Sequence, residues 1–206
     1  MLKLWGRGNS TNVKKPLWCL EELEVPYTRV DAGGVFGIVG EPDFIAKNPN
    51  KLVPCLEDGE LVLWESNAIV RYLAAQYGQG VLWNTDPAQR AQADKWMDWA
   101  TSTLAAPFRP VFWNMVRTAP DQRDMAAVQA ALEECGRLLA IADQALSTQP
   151  YLSGESLGMG DIPLGCYAYA WFEMPIERPD LPHLRDWFDR LRQRPAYQAA
   201  VLTPLT

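Results

Sequence analysis

Three short stretches carry side chains able to hold a small peptide. Glu65-Ser66-Asn67 follows the apolar run Leu61-Val62-Leu63-Trp64 and opens a helical pattern. The first turn of a helix presents unpaired N–H groups and a partial positive charge, a natural seat for a carboxylate. Glu65 beside that seat can receive an ammonium, so the pair suits the α-amino-acid end of a small peptide. Val53-Pro54 begins a strand pattern, although proline cannot donate to a strand ladder. Such a proline belongs either to an edge strand or to a tight turn with a cis bond before it. The second arrangement would leave the Val53 N–H and C=O free to pair with an extended ligand as an added strand. Ser10-Thr11-Asn12 closes a polar turn with three residue types that cap helices.

Simple elements must position these stretches. Leu2 to Trp5 is a short strand pattern, and Tyr27 to Asp31 is a second. Val13, Leu17, Leu20 and Leu23 recur at near-helical spacing, which predicts a helix from the Ser10 turn to about Leu23, with Pro16 tolerated near its first turn. Glu41 to Lys47 reads as a short helix. Asp58-Gly59 between two apolar runs is a hairpin signal. Ser66 or Asn67 can cap the helix that follows, with Ile69, Tyr72, Leu73 and Gln76 on one face and Gly78 as its stop. Gly78 to Asp86 is a linker pattern, and Pro87 sits where a helix can start.

Everything beyond Pro87 reads as helix. Ala91 to Val116 is long and aromatic and should kink near Pro107 and Pro110. Asp121 to Leu146 follows. A third helix starts within Gly158 to Ile162 and runs to about Phe172, and a fourth carries Leu184, Trp187, Phe188 and Leu191, ending at Arg194-Pro195.

Composition narrows the function classes. A chain of 206 residues with 48% hydrophobic and 21% charged residues fits a globule of one large or two small domains. A net charge of −6 argues against nucleic acid or an anionic membrane as the main partner. The N-terminus turns polar at once, so no secretory leader is expected, and no apolar run reaches membrane-spanning length. Cys19, Cys55, Cys135 and Cys166 form no C-x-x-C pair, and His183 is the single histidine, so neither a metal site nor a dithiol site is expected. Unpaired thiols point to a reducing, cytoplasmic setting.

Asn48-Pro49-Asn50, Val53-Pro54 and Glu65-Ser66-Asn67-Ala68-Ile69 together resemble the glutathione-site signature of the cytosolic glutathione S-transferases. The resemblance covers essentially the whole chain. It is closest to bacterial members, theta- or nu-like at the N-terminus, that read Gly-Arg-x-Asn-Ser-x-Asn-Val-Lys-Lys, as Gly6 to Lys15 does here. It implies an α/β thioredoxin-like domain over residues 1–78 in the order β-α-β-α-β-β-α, then an all-helical domain over 87–206. It also implies a cis Pro54, backbone pairing of glutathione at Val53, and capture of the γ-glutamyl group by Glu65 and Ser66. Glutathione would be a co-substrate, no metal would be needed, and the chain would form a homodimer. One departure is Gly158, where the family usually carries the hydroxyl of a capping box; Asp161 can still reach back to the Gly158 N–H, with Leu157 and Ile162 as a staple.

A thiol-conjugating enzyme must make thiolate. A thiol of pKa near 8.5 is about 3% ionised at pH 7, and lowering it by roughly two units, about 2.7 kcal/mol, raises that to about 75%. The loop Ser10-Thr11-Asn12 opens the first helix, where such a donor is needed, and no tyrosine occurs between Met1 and Val25. The resemblance aligns the hydroxyl of serine-type members with Ser10 and the amide of asparagine-type relatives with Asn12; Ser10 is preferred. Lys51 can approach the glycyl carboxylate, or be a solvated lysine. Phe108, Arg109, Phe112 and Trp113, with Phe36 from the Ala32–Gly40 loop, are expected around a small electrophile. The expected function is transfer of the glutathione thiolate to that electrophile. A glutathione-dependent disulfide or peroxide reductase and a non-catalytic protein-binding module are the alternatives.

Overall fold

Alternation in Leu2-Lys3-Leu4-Trp5 buries both leucines and exposes Lys3, and this strand, β1 (Leu2–Trp5), lies inside a four-stranded sheet. The structure, a computed structural model, describes every residue from Met1 to Thr206. The sheet order is β2-β1-β3-β4, with β2 at Tyr27–Val30, β3 at Cys55–Asp58 and β4 at Leu61–Trp64. β1 runs parallel to β2 and antiparallel to β3, pairing Leu4 with Leu56. β3 and β4 form the expected hairpin, Asp58 opposite Leu61, with Gly59 at φ +58°. That left-handed value favours glycine.

The helices of this half are α1 (Thr11–Glu22), α2 (Pro42–Lys47) and α3 (Ser66–Tyr77). α1 packs on α3 and also on two helices of the second half, α7 (Asp161–Glu173) and α9 (Pro195–Ala200). It is therefore buried without a break from Val13 to Leu20, lysines included. Pro16 sits in the second turn of α1, deeper than expected, and the helix continues through it. In α3 the buried positions are Ile69, Val70, Leu73 and Ala74, while Gln76 is exposed, which turns the expected face by about one residue. Neither Ser66 nor Asn67 caps α3: both lie inside its first turn, and Glu65 holds the N-cap position. Asn67 instead donates to the Met97 carbonyl at 2.6 Å and to Thr101 Oγ1 at 2.9 Å, tying α3 to the helical half.

The long aromatic segment bends without breaking. α4 (Pro87–Trp99) passes through a π-helical turn at Ala100–Leu104 into α5 (Ala105–Phe112), and a second π turn follows at Trp113–Arg117. These widened turns stand on either side of Pro107 and Pro110, and π turns, like prolines, are places where helices kink. α6 begins at Met125, four residues later than expected, because Asp124 caps it by accepting from the Ala127 N–H at 2.9 Å. α8 (Pro182–Arg192) and α9 close the chain.

α7 meets α1 at Gly165. A Cβ there would stand 2.5 Å from Trp18 Cζ3 and 3.1 Å from Leu191 Cδ1. Trp18 is fully buried and packed edge-on to Tyr197 at 4.7 Å, so it has nowhere to move. Gly165→Ala is expected to lose about 1–3 kcal/mol by overpacking. A shift below about 0.5 kcal/mol in denaturant melts would mean that the two halves can slide apart at no penalty.

Candidate active site

A cleft of about 540 Å³ opens between the α/β half and the helical half. Ser10, Thr11 and Asn12 line one wall together with Lys51 and Val53, and Phe108, Arg109, Phe112 and Trp113 line the other. Nine of the residues singled out in the sequence therefore meet around one space.

The α/β wall is a set of free donors and acceptors. Ser10 is the N-cap residue of α1, but its hydroxyl makes no capping bond, nor any other hydrogen bond within the chain. The Thr11 hydroxyl is equally free. Asn12 accepts at Oδ1 from Lys15 Nζ at 3.0 Å, which leaves its amide N–H pair as the end available to a ligand. The Val53-Pro54 bond is cis, and Pro54 is buried. The Val53 N–H and C=O make no hydrogen bond within the chain. Asn48, 2% exposed, fixes the loop before it by donating to the Leu52 carbonyl at 2.8 Å and accepting from the Asn50 N–H at 3.0 Å. Lys51 in that loop has φ +57°, a conformation L residues seldom adopt.

Glu65 and Ser66 do not line the cleft itself; they begin α3 beside it. Glu65 is exposed and holds φ +71°, again in the region that favours glycine. Strain of this kind gathers where a side chain must be aimed. Ser66 is joined to the cleft through Lys15, whose Nζ lies 3.4 Å from Ser66 Oγ as well as 3.0 Å from Asn12 Oδ1. Phe36 is the one expected pocket residue that lies apart. The 3₁₀ turn Gly34–Phe36 puts Gly33, Gly34 and Val39 on the cleft and leaves Phe36 48% exposed outside it.

Sequence reasoning passed over Lys15, Arg7, Arg117 and Tyr167. Lys15 is wholly buried, and burial lowers its pKa to about 8, against the pull of Cys166 and Glu65. Its ammonium sits 5.3 Å from the ring of Tyr167, a cleft residue. Lys14 is its counterpart on the other side of α1, 2% exposed and donating to the Val201 carbonyl at 2.8 Å. The available signal was the motif Gly6–Lys15 itself, which begins with Arg7 beside Gly6 and ends on the two lysines.

None of the four cysteines lines the cleft; all are buried and unpaired. Burial pushes the Cys55 thiol up to about 11 and Cys166 up to about 12, so neither supplies thiolate at neutral pH.

Comparison with known proteins gives the same picture. The family model for the glutathione S-transferase N-terminal domain matches residues 1–75, and that for the C-terminal domain matches residues 93–195. Glutathione S-transferase GstB of Escherichia coli strain K12 is 50% identical over 208 aligned positions spanning 100% of both chains. Glutathione S-transferase 4 of Zea mays is 30% identical over 95% of this chain and 89% of its own. The theta class glutathione S-transferase from the citrus canker pathogen Xanthomonas axonopodis pv. citri, solved with glutathione bound, is 60% identical. It superposes with a TM-score of 0.97 over 100% of this chain and 99% of that one.

Proposed function

We propose a residue-level mechanism from one premise: the chain belongs to the glutathione S-transferase family, matched in both of its domains and over its whole length. It is an enzyme, and its reaction is transfer from glutathione. The tripeptide lies extended along Val53 and pairs with that residue's free N–H and C=O. Its γ-glutamyl carboxylate takes the unpaired amides and hydroxyl at Ser66, and its ammonium faces Glu65. Lys51 approaches the glycyl carboxylate. Ser10 Oγ–H then donates to the sulfur, with the Asn12 amide as the second donor. Each holds the anion more firmly than the thiol, so the thiol proton leaves to water at a lower pH. The sulfur attacks an electrophilic carbon held against Phe108, Phe112 and Trp113, and the leaving group departs with its electron pair. Positioning supplies the rest of the rate.

The observation that carries this reading is the Ser10 hydroxyl. It sits at a helix N-terminus, on the wall of a cleft, with no partner in the chain. A serine kept only to cap its helix would bond to the second or third N–H of that helix, and this one does not.

A homodimer is part of the proposal. The sheet ends on β4, an edge strand that exposes Leu61, Val62 and Trp64 at 38, 40 and 37%. Apolar side chains exposed along an edge strand are a liability that a partner subunit removes. A cytoplasmic setting agrees with four unpaired thiols. No helix is long and apolar enough to cross a membrane.

The test is a pH titration of the ultraviolet thiolate band of bound glutathione, with turnover of a neutral aryl halide alongside. Ser10→Ala should raise the thiolate midpoint by about one to two units. If Asn12→Ala does so and Ser10→Ala does not, the two roles are exchanged. If neither variant moves the midpoint, the thiolate is made elsewhere and the mechanism fails.

A further inference from the structure

The charge of the cleft is the reverse of the charge of the chain. Acidic residues outnumber basic ones 25 to 19 overall, yet the cleft is lined by Arg7, Lys51, Arg109 and Arg117 and by no Asp or Glu. None of the four takes part in an ion pair, although six salt bridges form elsewhere in the chain. Arg7 Nε is buried without a hydrogen-bond partner. Burial and the nearby positive charge of Arg117 both lower the pKa of Arg7, so two like charges are held close with only neutral side-chain and main-chain acceptors beside them, Asn9 Oδ1 at 2.7 Å from Arg7 and the Thr206 oxygen at 3.4 Å from Arg117. An unpaired buried donor and uncompensated like charges are both unfavourable unless a ligand completes them.

Glutathione does not use all four. The mechanism above puts its carboxylates at Ser66 and near Lys51, on the α/β side. Arg109 is on α5 and Arg117 ends the π turn after it, both on the helical side where the electrophile must sit. The Arg117 guanidinium lies 5.3 Å over the Phe112 ring and 5.0 Å over the Trp113 ring, and Trp113 is 49% exposed. A flat aromatic surface is thus bordered by Arg109, whose guanidinium makes no hydrogen bond in the chain, and by Arg117, whose Nε and Nη2 donate to the Thr206 main-chain oxygen at 3.4 Å while its Nη1 stays free, donors that can receive a carboxylate.

We infer that the electrophile is an aromatic acid, its ring lying on Phe112 and Trp113 and its carboxylate held by Arg109 and Arg117. The inference rests on the transferase mechanism above and names its second substrate. In the step itself the glutathione sulfur forms a bond to the ring carbon that carries a halide. The carbon–halogen bond breaks, and halide leaves with the electron pair. The thiol proton has already gone to water, and the carboxylate is unchanged.

A chlorodinitrobenzoate and its methyl ester separate the possibilities. Each kcat/KM is divided by the uncatalysed rate of the same compound with glutathione, which removes the difference in ring reactivity. The acid should be favoured about tenfold at low ionic strength, equivalent to about 1.4 kcal/mol, and less so as salt rises. In the double variant Arg109→Gln, Arg117→Gln the acid-to-ester ratio should fall towards one. Calorimetric binding of unreactive dinitrobenzoate, with glutathione present, should weaken by a similar factor in that variant. An ester used as well as the acid, or a ratio that the double variant leaves in place, overturns the inference while the transferase mechanism stands. Binding of dinitrobenzoate through the two arginines with neither halide consumed keeps the anion site and overturns the mechanism instead. If the variant raises the glutathione KM equally with both compounds and leaves the ratio alone, the arginines serve glutathione, and the inference is wrong.

Discussion

Asp161→Ala is expected to lower the stability of the fold by about 3–5 kcal/mol, a large part of what a domain of this kind possesses. Asp161 is 0% exposed and accepts four hydrogen bonds on two oxygens. The Leu152 N–H and Trp187 Nε1–H reach Oδ1 at 2.8 and 2.9 Å, and the Gly158 and Ser153 N–H groups reach Oδ2 at 3.1 and 3.3 Å. Burial pushes the carboxyl's pKa up against the pull of these donors. Alanine would leave all four donors in a closed interior with no acceptor. Three of them belong to the loop before α7 and one to α8, so the loss would release α7 from both neighbours. Asp161→Asn keeps the volume but turns an NH₂ towards N–H donors, and should lose a similar amount. Denaturant midpoints at constant slope measure both. A loss below about 1 kcal/mol for either variant would mean that water reaches the site.

The same motif marks how far sequence carries. Asp161 and its bond to Gly158 were legible, because a carboxylate three residues into a helix start has few other uses. The reason for glycine at 158 was not. A Cβ there would stand 2.7 Å from Ser153 Cβ and Oγ, so the usual hydroxyl residue has no room, and only the packed loop reveals it. The hairpin, the sheet and the cleft wall at Ser10–Asn12 were likewise legible, since turn residues and apolar runs act over a few positions. Phe36 was misplaced because the rotation of a 3₁₀ turn between Gly33 and Gly37, at φ +79° and +60°, leaves no trace in periodicity. The π turns that flank Pro107 and Pro110 were missed for a related reason. Nothing in the residue order distinguishes a widened turn from a regular one. Lys14-Lys15 was the hardest to see, for adjacent lysines ordinarily face water. Their burial depends on α7 and α9, which arrive about 150 and about 180 residues later.

Lys15→Met should separate activity from stability. At pH 7 a lysine with a pKa of about 8 is still mostly charged, and this one carries its charge with no exposure to water. Its ordinary value is 10.5, so burial disfavours the charged form by about 3 kcal/mol. That holds even with the pull of Cys166 and Glu65 towards the charged form. Methionine of similar length removes the penalty, so at pH 7 the variant should melt at the same temperature as the wild type or higher. The pH dependence fixes the sign. Between pH 8 and 10.5 the unfolded chain holds a proton on Lys15 that the folded chain has released, so the wild type gains stability as pH rises through this window. The variant should lack that increment, and Lys14, present in both proteins, cancels in the difference. Activity should move the other way. Lys15 orients the Asn12 amide, braces Ser66 and places a positive charge behind the thiolate, so kcat/KM for glutathione should fall about 10- to 100-fold. Lys15→Gln divides these parts, since it can keep a hydrogen bond while losing the charge. A glutamine variant with wild-type activity would show that orientation alone matters. A methionine variant that is both less stable and fully active would remove Lys15 from the site, leaving the lysine as a strut between two halves of the fold.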